Sequence, residues 1–125
     1  MILQLDFSGD VPIYLQIRNQ IVVGIASGKL QPGERLLPIR ALADEAGVNM
    51  MTVNKAYALL KKEGYIVADR RSGAAVAGIS QRGGLTEKTR EDLKLAISEA
   101  KTAPVSKEDL LSICARYYDE TEGNI

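Results

Sequence analysis

Asn49, Thr52, Asn54 and Lys55 fall within seven consecutive residues, with Arg40 shortly before them and Arg70, Arg71, Ser72 and Gly73 shortly after. Their amides, hydroxyls, ammonium and guanidinium groups are hydrogen-bond donors suited to holding oxyanions and other acceptors, and none is a ready proton shuttle at neutral pH. The chain has no histidine, which removes the commonest neutral-pH acid–base group and the commonest transition-metal ligand. No Asp/Glu pair sits in an apolar pocket pattern, and there is neither a glycine-rich phosphate loop nor a nucleophile motif. These residues are therefore read as binding groups, and no enzyme, metal site or cofactor is expected.

Charge along the chain points the same way. Sixteen Lys and Arg balance sixteen Asp and Glu. Residues 10–82 nevertheless hold ten basic against six acidic side chains, and residues 83–125 hold six against nine. Such a division suits a chain whose first part meets a polyanion. With 125 residues and 46% apolar content there is material for one folded domain and a small appendage. No apolar run approaches the ~20 residues that span a bilayer. The start, "MILQLDFSGD", lacks a signal-peptide pattern, so a cytoplasmic protein without membrane partners is expected. Cys114 is the sole cysteine and falls in an apolar helical pattern, which favours packing over reactivity.

The elements that must position these groups read as follows. Pro12 suits a first helical turn, Ile13, Ile17, Ile21 and Ile25 recur at four-residue spacing, Leu15 and Val22 widen the stripe, and Gly28 can stop the helix. "LQPGERLLP" supplies a Pro32-Gly33 turn, and Pro38 begins a short second helix that ends at Gly47. Val48 then plugs the gap between helices, and Asn49 caps a third helix. Two short helices joined in this way form a helix-turn-helix. The inward positions of the third helix are predicted to be Val53, Ala56, Leu59 and Leu60, leaving Thr52, Asn54 and Lys55 outward. Gly64 ends it, and "YIVA", "DRRSG" and "AAVAG" read as two strands around a tight basic turn, a wing. The fold class is thus mainly α with a small β-hairpin, a winged helix-turn-helix over residues 1–80. That fold lays its third helix in the major groove of duplex DNA.

At these residues the chain resembles a known family. "PIYLQIRNQIVVGIASGKLQPGERL", "RALADEAGV", "TVNKAYALLKKEGYI" and the glycine-bearing hairpin are similar to the DNA-binding domain of the GntR family of bacterial transcription regulators. "PIYLQI", "TVNKAY" and the short tail further resemble its YtrA-like subfamily, whose members dimerise through two C-terminal helices. The resemblance implies DNA contacts at Arg40, at Asn49 to Thr52 with Met51 among them, at Asn54 and Lys55, and at Arg70, Arg71, Ser72 and Gly73. It also has departures. Leu36, Leu37 and Pro38 stand where the family usually has Leu-Pro-Ser. Met50 occupies a position where many members carry a guanine-gripping Arg, and Ala74 and Ala75 replace the Thr-Phe of the family's wing. Met50 is open to two readings, packing within the fold or apolar contact with DNA, and Met51 favours DNA.

Gly83 and Gly84 mark a linker to a tail over residues 85–125. Thr86 opens one helix with Leu93, Ile97 and Ala100 on one side. Pro104 interrupts, and Ser106 opens another that presents Leu110, Ile113, Cys114 and Tyr117. Two such stripes cannot be buried by each other alone, so a homodimer built on Leu93, Ile97, Ala100, Leu110, Ile113 and Tyr117 is expected. It would set two recognition helices about 34 Å apart on a palindromic operator. The expected protein is a repressor. The alternative is a protein-interaction module that keeps the winged scaffold without reading DNA. Whether a small-molecule effector exists is not legible in the sequence.

Overall fold

A computed structural model describes residues 3–69, 73–78 and 83–120, with Asp69 described by its backbone alone. The chain divides into two compact units, one built on Met1–Arg82 and the other on Gly83–Glu120.

In the first unit, helices α1 (Ile13–Ala26), α2 (Ile39–Ala46) and α3 (Met50–Glu63) are followed by strands β1 (Ile66–Asp69) and β2 (Gly73–Val76). The reading of a winged helix-turn-helix holds. Its core joins Ile17 and Ile21 of α1, Leu42 and Ala43 of α2, Val53, Ala56, Tyr57 and Leu60 of α3, and Ile66, Ala74 and Val76 of the hairpin. Each large apolar side chain removed from water in this way stabilises the fold by about 1.5–3 kcal/mol. Tyr57, absent from the predicted inner face, is only 1% exposed, whereas Leu59 is half-buried. The ring fills the core, and its hydroxyl escapes desolvation by donating to the Leu37 carbonyl at 2.7 Å.

The turn between α2 and α3 follows from two residues. Gly47 takes the left-handed φ of 73° and closes α2 through its N–H to the Ala43 carbonyl. Asn49 then accepts the Thr52 N–H at 2.8 Å on its side-chain oxygen and caps α3.

The hairpin is antiparallel, pairing Ile66 with Val76 and Asp69 with Gly73. "LQPGERLLP" does more than turn. Beyond Gly33, Glu34 accepts the Val76 N–H at 2.8 Å, and Leu36 donates to Ala74 at 2.9 Å, so this stretch lies along the free edge of β2. The Pro-Gly turn masks the extended segment in the sequence, because only the short stretch from Gly33 to Leu36 pairs. Residues 3–11, for which no structure was predicted, run along α1, where glutamine amides stand in for a neighbouring strand. Gln20 accepts the Gln4 N–H at 2.9 Å and donates to the Gln4 carbonyl at 2.6 Å. One turn earlier, Gln16 accepts the Asp6 N–H at 2.8 Å and donates to the Asp6 carbonyl at 2.9 Å.

The second unit holds α4 (Glu87–Lys101) and α5 (Lys107–Asp119), capped by the Thr86 and Ser106 hydroxyls. Neither helix buries a residue. Ala100, Leu110 and Ile113 are half-buried, and Leu93, Ile97 and Tyr117 are exposed. Cys114 is exposed rather than packed, on a helix that buries none of its residues. No described helix is long and apolar enough to cross a membrane.

Candidate nucleic-acid interface

The outer side of α3 is defined by how firmly its inner side is held. Arg18 of α1 pairs with Glu63 at 2.8 Å and stacks its guanidinium 5.3 Å from the Tyr65 ring, bracing the far end of α3. Burial alone would lower the Arg18 pKa, but the hydrogen bond and charge of Glu63 raise it above its ordinary value. Tyr14 lies under the ammonium of Lys55, with Nζ 4.1 Å from the ring centre, a cation–π contact worth roughly 0.5–1 kcal/mol at an exposed site. Sequence reasoning missed this brace, since it joins side chains on two helices far apart in the chain.

The predicted contact residues divide into three groups. Arg40, the second residue of α2, is exposed and has no hydrogen-bond or ion-pair partner among the described residues, so it is not tied to Asp44. Asn54 and Met51 are likewise outward, Met51 being 81% exposed and Met50 47%. Thr52, by contrast, is half-buried and returns its hydroxyl to the Asn49 side-chain oxygen at 3.0 Å. The N-cap consumes that hydroxyl, which corrects the expectation of an outward Thr52. Lys55 is exposed but anchored on Tyr14. Arg70, Arg71 and Ser72 lie outside the described residues. Gly73 is exposed at the start of β2, with φ 108°. Among the described residues no group of acidic or thiol side chains could hold a metal ion.

The exposed guanidinium of Arg40, a capped helix with a free outer turn and a hairpin beside it form a surface for an extended polyanion. Comparison with known proteins agrees. Residues 13–76 match the family described as bacterial regulatory proteins, gntR family. The chain belongs to the GntR family. As a member it is a DNA-binding transcription regulator, and its relatives are regulators rather than enzymes.

One relative of this GntR protein, the uncharacterized HTH-type transcriptional regulator YhcF of Bacillus subtilis (strain 168), is 31% identical over 108 residues, 85% of this chain and 89% of that protein. Another, YdcR of Escherichia coli (strain K12), is 45% identical over 64 residues, 51% of this chain but 14% of its own length. Among solved structures, a transcriptional antiterminator from Listeria monocytogenes EGD-e has a TM-score of 0.84 at 29% identity, covering 100% of this chain and 96% of that one. YtrA from Sulfolobus acidocaldarius, a GntR-family transcription factor, has a TM-score of 0.66 at 41% identity, covering 82% of this chain and all of that one. That neighbour supports placement in the YtrA-like subfamily. The AraR DNA-binding domain in complex with operator ORX1 has a TM-score of 0.54 at 28% identity, covering 60% of this chain and 96% of that one.

Proposed function

We propose that this GntR-family regulator is a repressor that acts in the cytoplasm, occupying a palindromic operator as a homodimer. Residues 1–80 would read the DNA, and residues 85–125 would join two copies. The observation that carries the reading is the outer turn of α3, solvated while its opposite side is locked into the core, with the unpaired Arg40 beside it. In this reading α3 enters the major groove, presenting Met51, Asn54 and Lys55, with Asn49 and Thr52 supporting its first turn. Arg40 meets phosphate or a base edge, and Arg70, Arg71, Ser72 and Gly73 reach the neighbouring backbone or minor groove. The apolar stripes of α4 and α5, exposed at Leu93, Ile97 and Tyr117 and half-buried at Ala100, Leu110 and Ile113, support dimerisation through these residues, because a second copy would remove their remaining surface from water.

The test is a gel shift with the full chain on DNA flanking its gene. A retarded complex is expected whose affinity falls steeply with salt as phosphate contacts release counterions. Arg40→Ala should weaken binding and reduce that salt slope by about 0.9, with an unchanged circular dichroism spectrum. Binding indistinguishable from that to random duplex at every salt concentration would refute the reading.

A further inference from the structure

The outer side of α3 offers a groove fewer polar groups than its sequence suggests. The Asn49 oxygen and the Thr52 hydroxyl are bound to each other, and the Lys55 ammonium rests on the Tyr14 ring. What remains outward on the first two turns is the amide of Asn54 and the thioethers of Met50 and Met51. A thioether donates no hydrogen bond, so neither methionine can engage the two acceptors that guanine shows in the major groove. Lys55, the one cation on these turns, would have to abandon Tyr14 to grip guanine, and the Asn54 amide, with one donor and one acceptor to offer together, matches adenine better than guanine's two acceptors.

We infer that α3 reads an A·T base-pair core in each half-site, Met51 lying against the 5-methyl group of a thymine and Asn54 pairing with an adenine edge. This rests on the proposal that α3 enters the major groove. Thymine alone presents a methyl group there, and adenine presents the N6 donor and N7 acceptor that one amide can engage together. The register is consistent. Positions three apart on a helix lie on one side with Cβ atoms about 5–6 Å apart, and successive base pairs rise about 3.4 Å. Met51 and Asn54 therefore address base pairs one or two steps apart. At 81% exposure Met51 has surface to cover, and its flexible side chain adapts to an irregular groove floor.

The experiment selects duplexes from a random pool with the full-length wild-type protein, then replaces each thymine of the selected half-site by deoxyuridine, one at a time. At one thymine per half-site, loss of the methyl group should weaken binding about fourfold. Met51→Ala should lower affinity for the thymine duplex by a comparable factor and erase the thymine–uracil difference. Asn54→Ala should relax selection at a nearby adenine while leaving the methyl effect intact. If duplexes are selected but no thymine responds to uracil, or if Met51→Ala keeps the methyl effect, the inference is overturned while the groove reading stands. If no duplex is selected, or if Met50 and Met51 instead lie in the footprint of a protein partner, the groove reading fails and this inference with it.

Discussion

Replacing Tyr57 by Phe removes one oxygen atom and little else, and the structure gives its cost. The ring lies in the core at 1% exposure, and its hydroxyl donates at 2.7 Å to the carbonyl of Leu37, one residue before the Pro38 that opens α2. A typical intramolecular hydrogen bond contributes about 0.5–1.5 kcal/mol, rising towards 3 kcal/mol when the abandoned partner stays dry. Leu37 itself is 37% exposed, so water can reach its surroundings. The cost should fall near 1 kcal/mol, or roughly 4–8 °C in Tm for a domain of this size.

A pH arm isolates the same group. Burial pushes the Tyr57 pKa up from 10.0 to about 12. The folded state therefore holds the phenol neutral after an unfolded chain would have lost its proton. Stability from this source is complete below about pH 10 and drains away as pH rises towards 12. A shift of this size corresponds to roughly 2–3 kcal/mol at most, and a hydroxyl at the margin of the core warrants the lower end. Urea unfolding followed by circular dichroism, at about pH 8 and about pH 11, measures both arms. Other groups ionise at the higher pH, so the readout is the difference between the two proteins. Tyr57→Phe should be less stable near neutrality and lose less on going alkaline. Equal stability near neutrality, or equal alkaline losses, would refute the role given to the hydroxyl.

Three further outcomes follow from the same geometry. Asn49→Ala should cost about 1 kcal/mol through loss of the α3 cap, and Asn49→Ser should recover most of it in a thermal melt. Gly47→Ala should cost roughly 1 kcal/mol from the backbone alone, because a Cβ there meets nothing within 4 Å; Gly47→Asn should be milder. Ile113→Asp together with Leu110→Asp should convert the proposed dimer to a monomer in sedimentation experiments while leaving α1–α3 folded, and an unchanged sedimentation coefficient would count against the tail as the joining surface.

The helices were legible because their signals are local. Gly47, Asn49, Gly64, Thr86 and Ser106 each declare an end through a conformation or a cap that depends on a few neighbours. What stayed hidden depends on distant partners. Gln16 and Gln20 hold the N-terminal segment by its backbone, and no periodicity announces an amide that bonds main-chain groups ten to sixteen residues away. Tyr57 was passed over in favour of Leu59 because its polar tip disguises a core ring, and only the Leu37 carbonyl makes that burial tolerable. At the candidate interface, the spacing of Asn54 and Arg40 was informative, while the occupation of Thr52 and Lys55 by Asn49 and Tyr14 required coordinates.

The edge formed by Glu34 to Leu36 ties the hairpin to the approach of α2 through only a few residues. Leu36 is hydrogen-bonded to β2, Leu37 to Tyr57 of α3, and Pro38 starts α2. The hairpin and the helix bearing Arg40 are thus joined through three consecutive residues, each held by a different element. Lengthening that connection would leave the wing and α2 each intact while removing the short link between them.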